Sequence, residues 1–440
     1  MKSKAIKIVT VESWCPHPKA APKTKRTGQK LFIAANGTRF SCGGWQIKIT
    51  GLVPTKTYRI KLPYRVSGLL SSSKKLSCLA IWGNIPPDKV EIDDEADNDF
   101  LLIQPASPTA GLFYRDVTVP AGVKILTVRV TLRWTASGSA ALGLPVISKV
   151  KAISQSRVKI AVATGSIQRR KLAKISTVAG NLSYYTQLCK EAVRLKPDFI
   201  VLPEIALQWR VLGHPVDTAI RVNGPEVSVF RRIAKANQLH ILLPIFEREG
   251  DAVFNTALLI GPKKIEGRYR KVHLAEYGET NSGIMPGNSF PVFKTPAGRV
   301  GCLICMDSSC QEASRMLGLN GAEIMFLPIM GDIRADRFTR GEPVFHEERW
   351  KVIMRSRTLD NHFLIAVARN ESIGSCIIDR KGEIRSWNDG TKDVICAEIE
   401  LNPNGRTWNG VSQRDVNWLQ RRPELYTGST VAIPPVVNNL

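Results

Sequence analysis

Gly298-Arg-Val-Gly-Cys-Leu-Ile-Cys-Met-Asp307 is the stretch on which the fold turns. Its middle is short, apolar and bounded, the pattern of a strand buried on both faces; a half-exposed strand would alternate. A helix-like segment, Gln311-Glu-Ala-Ser-Arg-Met-Leu317, follows within a few residues. Strand, turn and helix in that order put Cys305 at an elbow. Such an elbow projects its side chain at a sharp turn, with backbone N–H groups nearby that can hold an oxyanion. The plain alternative is one more buried cysteine, the state of most free thiols. Cys302, inside the strand, fits that alternative. Cys302-Leu-Ile-Cys305 has C-x-x-C spacing, but the Leu-Ile reads as strand, so a redox pair is not expected.

The segments around this stretch keep an α/β rhythm. Arg157 to Thr164 reads as a strand, and residues 176–195 as a helix with Leu182, Tyr185, Leu188, Cys189, Ala192 and Val193 on one face. Pro197 to Pro203 is a second strand, Val227 to Asn237 a helix, and Ile241 to Phe246 a strand. Two further places look unlike packing. Val201-Leu-Pro-Glu204 ends a buried strand in a carboxylate, and strand ends in α/β sheets are where ligands gather. Gly267-Arg-Tyr-Arg-Lys-Val-His-Leu274 presents Lys271 and His273 after a strand. Taken singly, Glu204 also reads as a solvated loop residue, and the second string as an exposed basic strand.

The first ~155 residues differ. They hold short β-type runs, among them Gln46-Ile-Lys-Ile-Thr50 and Thr127-Val-Arg-Val-Thr-Leu-Arg133, with the period-2 alternation of half-buried strands. Turn residues separate them. The expectation is an antiparallel β-sandwich, jelly-roll-like, over 1–155, followed by an α/β domain over 156–440. Residues 16–30 and 71–75 read as loops or a flexible lead-in. Trp45, Trp82 and Trp134 could form a sugar-stacking platform, although at least two of them suit a core better.

The 440 residues carry 62 Lys+Arg against 38 Asp+Glu, a net charge of +24. Residues 1–155 hold 23 basic and 9 acidic residues, so the smaller domain is the more basic by density. That field favours anionic partners and says nothing of fold. No run reaches the ~18 apolar residues of a membrane span, and the start, MKSKAIKIVT, lacks the apolar core of a secretory signal. Nine cysteines without repeated spacing read as reduced thiols, which points to a cytoplasmic location. Six of the nine acids in 1–155 lie in Glu91–Asp99, read as an exposed loop; it lacks the glycine and terminal glutamate of a calcium loop. Arg169-Arg-Lys171, Arg231-Arg232 and Lys263-Lys264 read as solvated faces. No nucleic-acid-binding string accompanies them, so a dedicated nucleic-acid role is not expected.

Together, Leu-Pro-Glu204, Tyr-Arg-Lys271-Val-His-Leu and Leu-Ile-Cys305-Met-Asp, in that order, resemble the nitrilase superfamily of carbon–nitrogen hydrolases. The resemblance runs from about Arg157 to Tyr426. Supporting strings are Asn181-Leu182, Phe254-Asn255, Met285 to Thr295, Gly321 to Pro328, Arg357-Thr-Leu-Asp-Asn361 and Arg421-Arg-Pro-Glu-Leu-Tyr426. The resemblance implies an α-β-β-α sandwich and assembly into a homo-oligomer. It implies Cys305 as nucleophile, Glu204 as proton carrier and Lys271 as oxyanion donor, with the Met306 N–H beside it. Glu279 resembles the family's second glutamate, with Glu276 as a nearby alternative. No metal or organic cofactor is implied.

Departures from the pattern bear on substrate. Met306 stands where the family has Tyr or Trp, and Met306-Asp307 favours an amide over a nitrile. Gln311-Glu312 replaces an expected Pro-Glu. Val367-Ala-Arg-Asn370 replaces an aliphatic-Asn ending, and Arg369 reads either as a surface arginine or as a contact for an acidic substrate or a partner subunit. His273 reads as a hydrogen-bonding structural residue. The expected activity is thiol-dependent hydrolysis of a non-peptide C–N bond in a small-molecule amide, through a thioester. The rivals are an acyltransferase on the same site and a non-catalytic scaffold. The N-terminal sandwich resembles carbohydrate-binding modules only in strand pattern, and an anionic or carbohydrate ligand is its expected partner.

Overall fold

Period-2 alternation in the N-terminal part becomes two facing antiparallel sheets. The computed structural model describes residues 5–83, 97–152, 157–173, 176–336, 338–342, 344–401, 410–411 and 415–426. One sheet runs in the order Lys7–Trp14, Cys42–Thr50, Leu126–Arg133, Leu76–Trp82, Asn98–Phe100. The other runs Lys23–Thr27, Lys30–Ala34, Ser139–Leu142, Thr57–Ser67, Ala110–Thr118, Leu102–Ser107, and Val146–Lys149 also pairs with Thr57–Ser67. Alternate residues point inward and form one core, including Ile47, Val128, Val130, Leu31, Ile60 and Leu62. Trp45 and Trp82 belong to it, and their indole N–H groups donate to Phe32 O at 3.1 Å and Asp99 Oδ2 at 2.8 Å. Only Trp134 is exposed, so the three tryptophans form no platform.

Two parts of this unit depart from the sequence reading. Residues 16–30 contain the strand Lys23–Thr27 where a loop was expected. It is an edge strand with almost every residue exposed, so no apolar face marks it; its lysines suit an unpaired edge. The chain divides into two compact units, Met1–Ser154 with Asn404–Leu440, and Gln155–Pro403. The described residues after Pro403 thus group with the sandwich, whereas the division drawn from sequence kept them with the second domain. Asp415 pairs with Arg115 at 2.5 Å, Asn98 N donates to Gly410 O at 2.9 Å, and Lys74 Nζ donates to Leu419 O at 2.8 Å. Of the acidic run, residues 91–96 lie outside the described residues, as do 153–156 at the expected boundary.

In the second unit, short apolar runs become strands buried on both faces. Phe199–Val201 lies parallel between Arg157–Ala163 and His240–Glu249 in one six-stranded sheet. Gly298–Cys302, Ile324–Ile329 and Leu364–Arg369 lie parallel in the other. The inner faces share one core, in which Phe199 meets Phe326 edge-on at 5.3 Å. Burying each such Phe, Leu or Ile contributes ~1.5–3 kcal/mol. Helices Val178–Val193 and Pro225–Asn237 pack on the first sheet, and Gln311–Leu319 and Glu347–Asn361 on the second. The result is an α-β-β-α sandwich. Thr177 caps the first helix, its hydroxyl accepting from Gly180 N at 3.0 Å. Arg169 is no solvated cation: it pairs with Glu191 at 2.7 Å and Asp393 at 2.8 Å.

Candidate active site

Glu204 and Cys305 lie just past the ends of parallel strands, one in each sheet. Leu202-Pro203 carries the chain from Phe199–Val201 to Glu204, which is 1% exposed. Its Oε1 accepts from Lys271 Nζ at 3.0 Å and Asn255 Nδ2 at 2.9 Å, and its Oε2 accepts from Met330 N at 3.0 Å. Its main-chain oxygen accepts from Asn370 Nδ2 at 2.8 Å, so the asparagine ending Val367-Ala-Arg-Asn370 fixes the backbone under the carboxylate. Lys271, also 1% exposed, follows the strand Ile265–Arg270. Its ammonium also donates to Glu279 Oε2 at 2.6 Å. Asn255 closes the ring, donating to Glu279 Oε1 at 2.6 Å. Glu276, the nearby alternative, is exposed.

Two carboxylates around one ammonium decide its charge state. Burial works against the Lys271 ammonium, but Glu204, Cys305 and Glu279 outweigh it and hold its pKa above the ordinary lysine value. Cys305 follows Gly298–Cys302 through Leu303-Ile304 and is half-buried. Its φ is +45°, a left-handed conformation unusual for a residue with a Cβ. Sγ donates toward Gly331 O at 3.7 Å. Burial and then the Glu204 charge push the thiol up to about 12, against the pull of Lys271. At neutral pH the resting group is therefore the thiol, with a carboxylate and an ammonium beside it. Met306 follows at the start of a 3-10 turn, Cys305–Ser309. The turn's first internal bond is Asp307 N to Ile304 O at 3.1 Å, so the Cys305 and Met306 N–H groups precede its bonding.

Asp307 has a structural role that the sequence reading does not contain. It is fully buried. Its carboxylate accepts from Ile304 N at 2.9 Å, Tyr269 OH at 2.6 Å and His273 N at 2.9 Å, and meets His273 Nδ1 at 2.8 Å. It thereby ties the cysteine elbow to the segment that carries Lys271. The bond to Asp307 raises the His273 pKa above its ordinary value, against partial burial. The signal in sequence was the Asp two residues after the cysteine, used there only with Met306 as a mark of substrate class. Cys302 is buried within its strand, and burial holds its thiol well above the usual range. Arg369 is 4% exposed, which excludes a surface arginine; it pairs with Asp336 at 2.5 Å and lies over Phe345 and Trp350. Among the described residues, no group of three or more His, Cys, Asp or Glu could hold a metal ion, and no helix is long and apolar enough to cross a membrane.

Comparison with known proteins gives this geometry a context. The family described as "Carbon-nitrogen hydrolase" matches residues 159–407. The string Arg421–Tyr426, counted above as family-like, lies beyond that match. The chain is 26% identical over 271 residues to the omega-amidase NIT2 of Danio rerio, covering 58% of this chain and 93% of that protein. It is 29% identical over 228 residues to a nitrilase of Pyrococcus abyssi, covering 50% and 84%. Among solved structures, the carbon-nitrogen hydrolase of Helicobacter pylori G27 aligns with a TM-score of 0.50 at 18% identity, over 63% of this chain and 99% of that one. At these identities the structural likeness speaks to fold alone.

Proposed function

The chain belongs to the carbon-nitrogen hydrolase family, and from that premise we propose that it hydrolyses a non-peptide C–N bond in a small-molecule amide, with Cys305 as the nucleophile. The observation that carries this reading is the closed ring of Glu204, Lys271, Glu279 and Asn255 beside a thiol at a left-handed elbow. A neutral thiol needs a base before it can attack. Glu204 takes its proton as Sγ bonds to the amide carbon. Lys271 Nζ and the Met306 N–H hold the charge that develops on the carbonyl oxygen. Glu204 then protonates the leaving nitrogen, and ammonia or an amine departs, leaving a thioester on Cys305. Water attacks the thioester as Glu204 accepts its proton, and Glu204 returns that proton to Sγ as the C–S bond breaks, giving a carboxylic acid and the free thiol. Glu279 and Asn255 position Lys271 and Glu204 and enter no bond-making step.

An amide is preferred to a nitrile because Met306-Asp307 follows the cysteine, and relatives named omega-amidase are among the matches. The chemistry then resides in Gln155–Pro403, and the sandwich is a separate domain. The adjacent helices Gln311–Leu319 and Glu347–Asn361 expose Met316, Leu319, Val352 and Leu359, a surface suited to self-association; light scattering reads its outcome. The test of the activity is a panel of small amides and matching nitriles, with ammonia release measured and the acyl-enzyme trapped for mass spectrometry. A Cys305 adduct from amides, absent in Cys305→Ala, is the expected result. An adduct elsewhere, or none with any substrate, overturns the reading. Product transfer to an added amine in preference to water would move the assignment to acyl transfer.

A further inference from the structure

The outer face of the seven-stranded sheet holds a cavity of about 580 Å³ that the hydrolase chemistry does not use. Its lining includes Lys23, Lys25 and Arg65, with Phe32 and the hydroxyls of Ser67 and Ser139. Strand register puts these side chains in two rows. Lys25 pairs with Phe32, Phe32 with Ala141, and Ala141 with Arg65. Lys23 pairs with Ala34, Ala34 with Ser139, and Ser139 with Ser67. Paired residues share a face of a sheet, and the intervening Ile33, Ala140 and Val66 point into the core. At ~4.8 Å between neighbouring strands, the Lys25 and Arg65 backbones lie roughly 14 Å apart. Between them lie the apolar Phe32 and Ala141, and the neighbouring row adds Ala34 and the hydroxyls of Ser139 and Ser67.

Charge separates this place from an ordinary sheet surface. Among the described residues, no Asp or Glu lines the cavity. Arg59, farther along the same strand face, is taken up by Asp116 at 2.9 Å. Lys23, Lys25 and Arg65 enter no ion pair among the described residues. Exposed cations left unpaired beside an aromatic ring suit a ligand with anionic groups at its ends and a ring between them. The volume lies in the ~300–1,000 Å³ range of small-ligand sites.

We propose that this cavity binds an acidic oligosaccharide, with uronate carboxylates meeting Arg65 and the two lysines and a sugar ring resting on Phe32. A guanidinium fork matches a carboxylate bidentately, and serine hydroxyls match sugar alcohols. A single-stranded nucleic acid is the poorer fit, because such platforms stack successive bases on several aromatic rings. Here Phe32 is the one aromatic in the lining among the described residues.

The test uses the full chain and a fluorescently labelled galacturonate hexasaccharide, followed by anisotropy. A neutral hexasaccharide and an oligouridylate of equal charge serve as comparison probes. The hexuronate should bind saturably, at least tenfold tighter than the neutral sugar and tighter than the oligouridylate, and added salt should weaken it. The exposed-face variants Phe32→Ser and Lys25→Ala/Arg65→Ala should each weaken it tenfold or more. Lys263→Ala/Lys264→Ala, which removes two exposed cations of the other unit, should leave it unchanged. Tighter oligouridylate binding overturns the sugar assignment. Equal losses in the Lys263/Lys264 variant, or none in the cavity variants, overturn the site.

Discussion

Glu204→Gln separates two jobs that the carboxylate is proposed to do, and the structure sets the size of each. In the wild type one oxygen accepts from both Lys271 Nζ and Asn255 Nδ2, and the other accepts from Met330 N. A glutamine has one oxygen, so whichever way it turns, its NH₂ faces at least one donor. One buried donor loses its acceptor, at about 1–3 kcal/mol. At ~2–4 °C per kcal/mol for a unit of this size, the variant should melt several degrees lower and still fold. Lys271 keeps Glu279 at 2.6 Å, so its charge stays paired.

The second effect runs the other way for the thiol. Burial is the main reason that Cys305 is pushed up to about 12, and the Glu204 charge is the next. Removing that charge leaves Lys271 and the Met330 N–H to oppose burial at the thiol, so the pH midpoint for alkylation of Cys305 by iodoacetamide should fall. Turnover should nevertheless drop by ~10²–10⁴, the scale of a positioned general acid–base. The pair of assays is steady-state amide hydrolysis and the pH profile of alkylation, on protein checked by thermal melting. A variant more reactive toward the alkylating agent yet inactive as a hydrolase fits the assignment. An alkylation midpoint that stays put or rises, or turnover within threefold of wild type, would falsify it.

Cys305→Ala should abolish turnover with little change in melting temperature, whereas Cys302→Ala should lower stability and keep turnover; a well-folded, inactive Cys302→Ala would exchange their roles. Asp307→Asn should destabilise by about 1–3 kcal/mol in urea unfolding, because the amide NH₂ must face one of the donors that the buried carboxylate now accepts from; unchanged unfolding would remove Asp307 from the anchoring role. His273 has a folded pKa raised above its ordinary 6.5, so its contribution to stability is full below ~6.5 and is lost as pH rises through the higher folded value. The stability difference between wild type and His273→Gln should therefore shrink on going from pH 6 to pH 9, and a difference that grows over that range would contradict the ion pair.

Much of the second unit was legible because its strands are buried on both faces. Ile200-Val-Leu and Cys302-Leu-Ile are short apolar runs that suit little else, and a carboxylate, Glu204 or Asp307, follows each within three residues where the chain turns. The edge strand Lys23–Thr27 was not legible, since KTKRT has no apolar face to alternate. The tail was misallocated for a different reason. Asp415 lies 300 positions from the Arg115 that holds it, and no local pattern encodes a pair so distant. The same limit applied within the site. Residue types and order pointed to Glu204, Lys271 and Cys305, but the bonds that give Asn255 a place in the ring span 51 and 24 residues. Asp307 was hidden by its own proximity to the cysteine: its partners Tyr269 and His273 lie 38 and 34 residues earlier, on the other sheet's side of the site.

Two of the non-glycine residues that adopt a positive φ lie at the proposed chemistry. Cys305 at φ +45° and Ile205 at φ +42° both occupy a region that side chains with a Cβ avoid, at ~1–3 kcal/mol each. One is the proposed nucleophile, and the other directly follows the proposed base. Neither position is a glycine, although glycine would relieve the backbone at once. At Cys305 the side chain is the reacting group. At Ile205 the reason is packing: it is 6% exposed, in a small cluster with Phe246, Val253 and Ile284. That cluster fixes the direction in which the chain leaves Glu204. Asp307 does the same for the elbow from the opposite side: its carboxylate accepts from Ile304 N and is itself held by the distant Tyr269 OH and His273 N. Two strained turns are thus each held by a buried contact that an isolated peptide would lack. The carboxylate and thiol therefore meet through tertiary structure, since neither turn would keep its geometry alone.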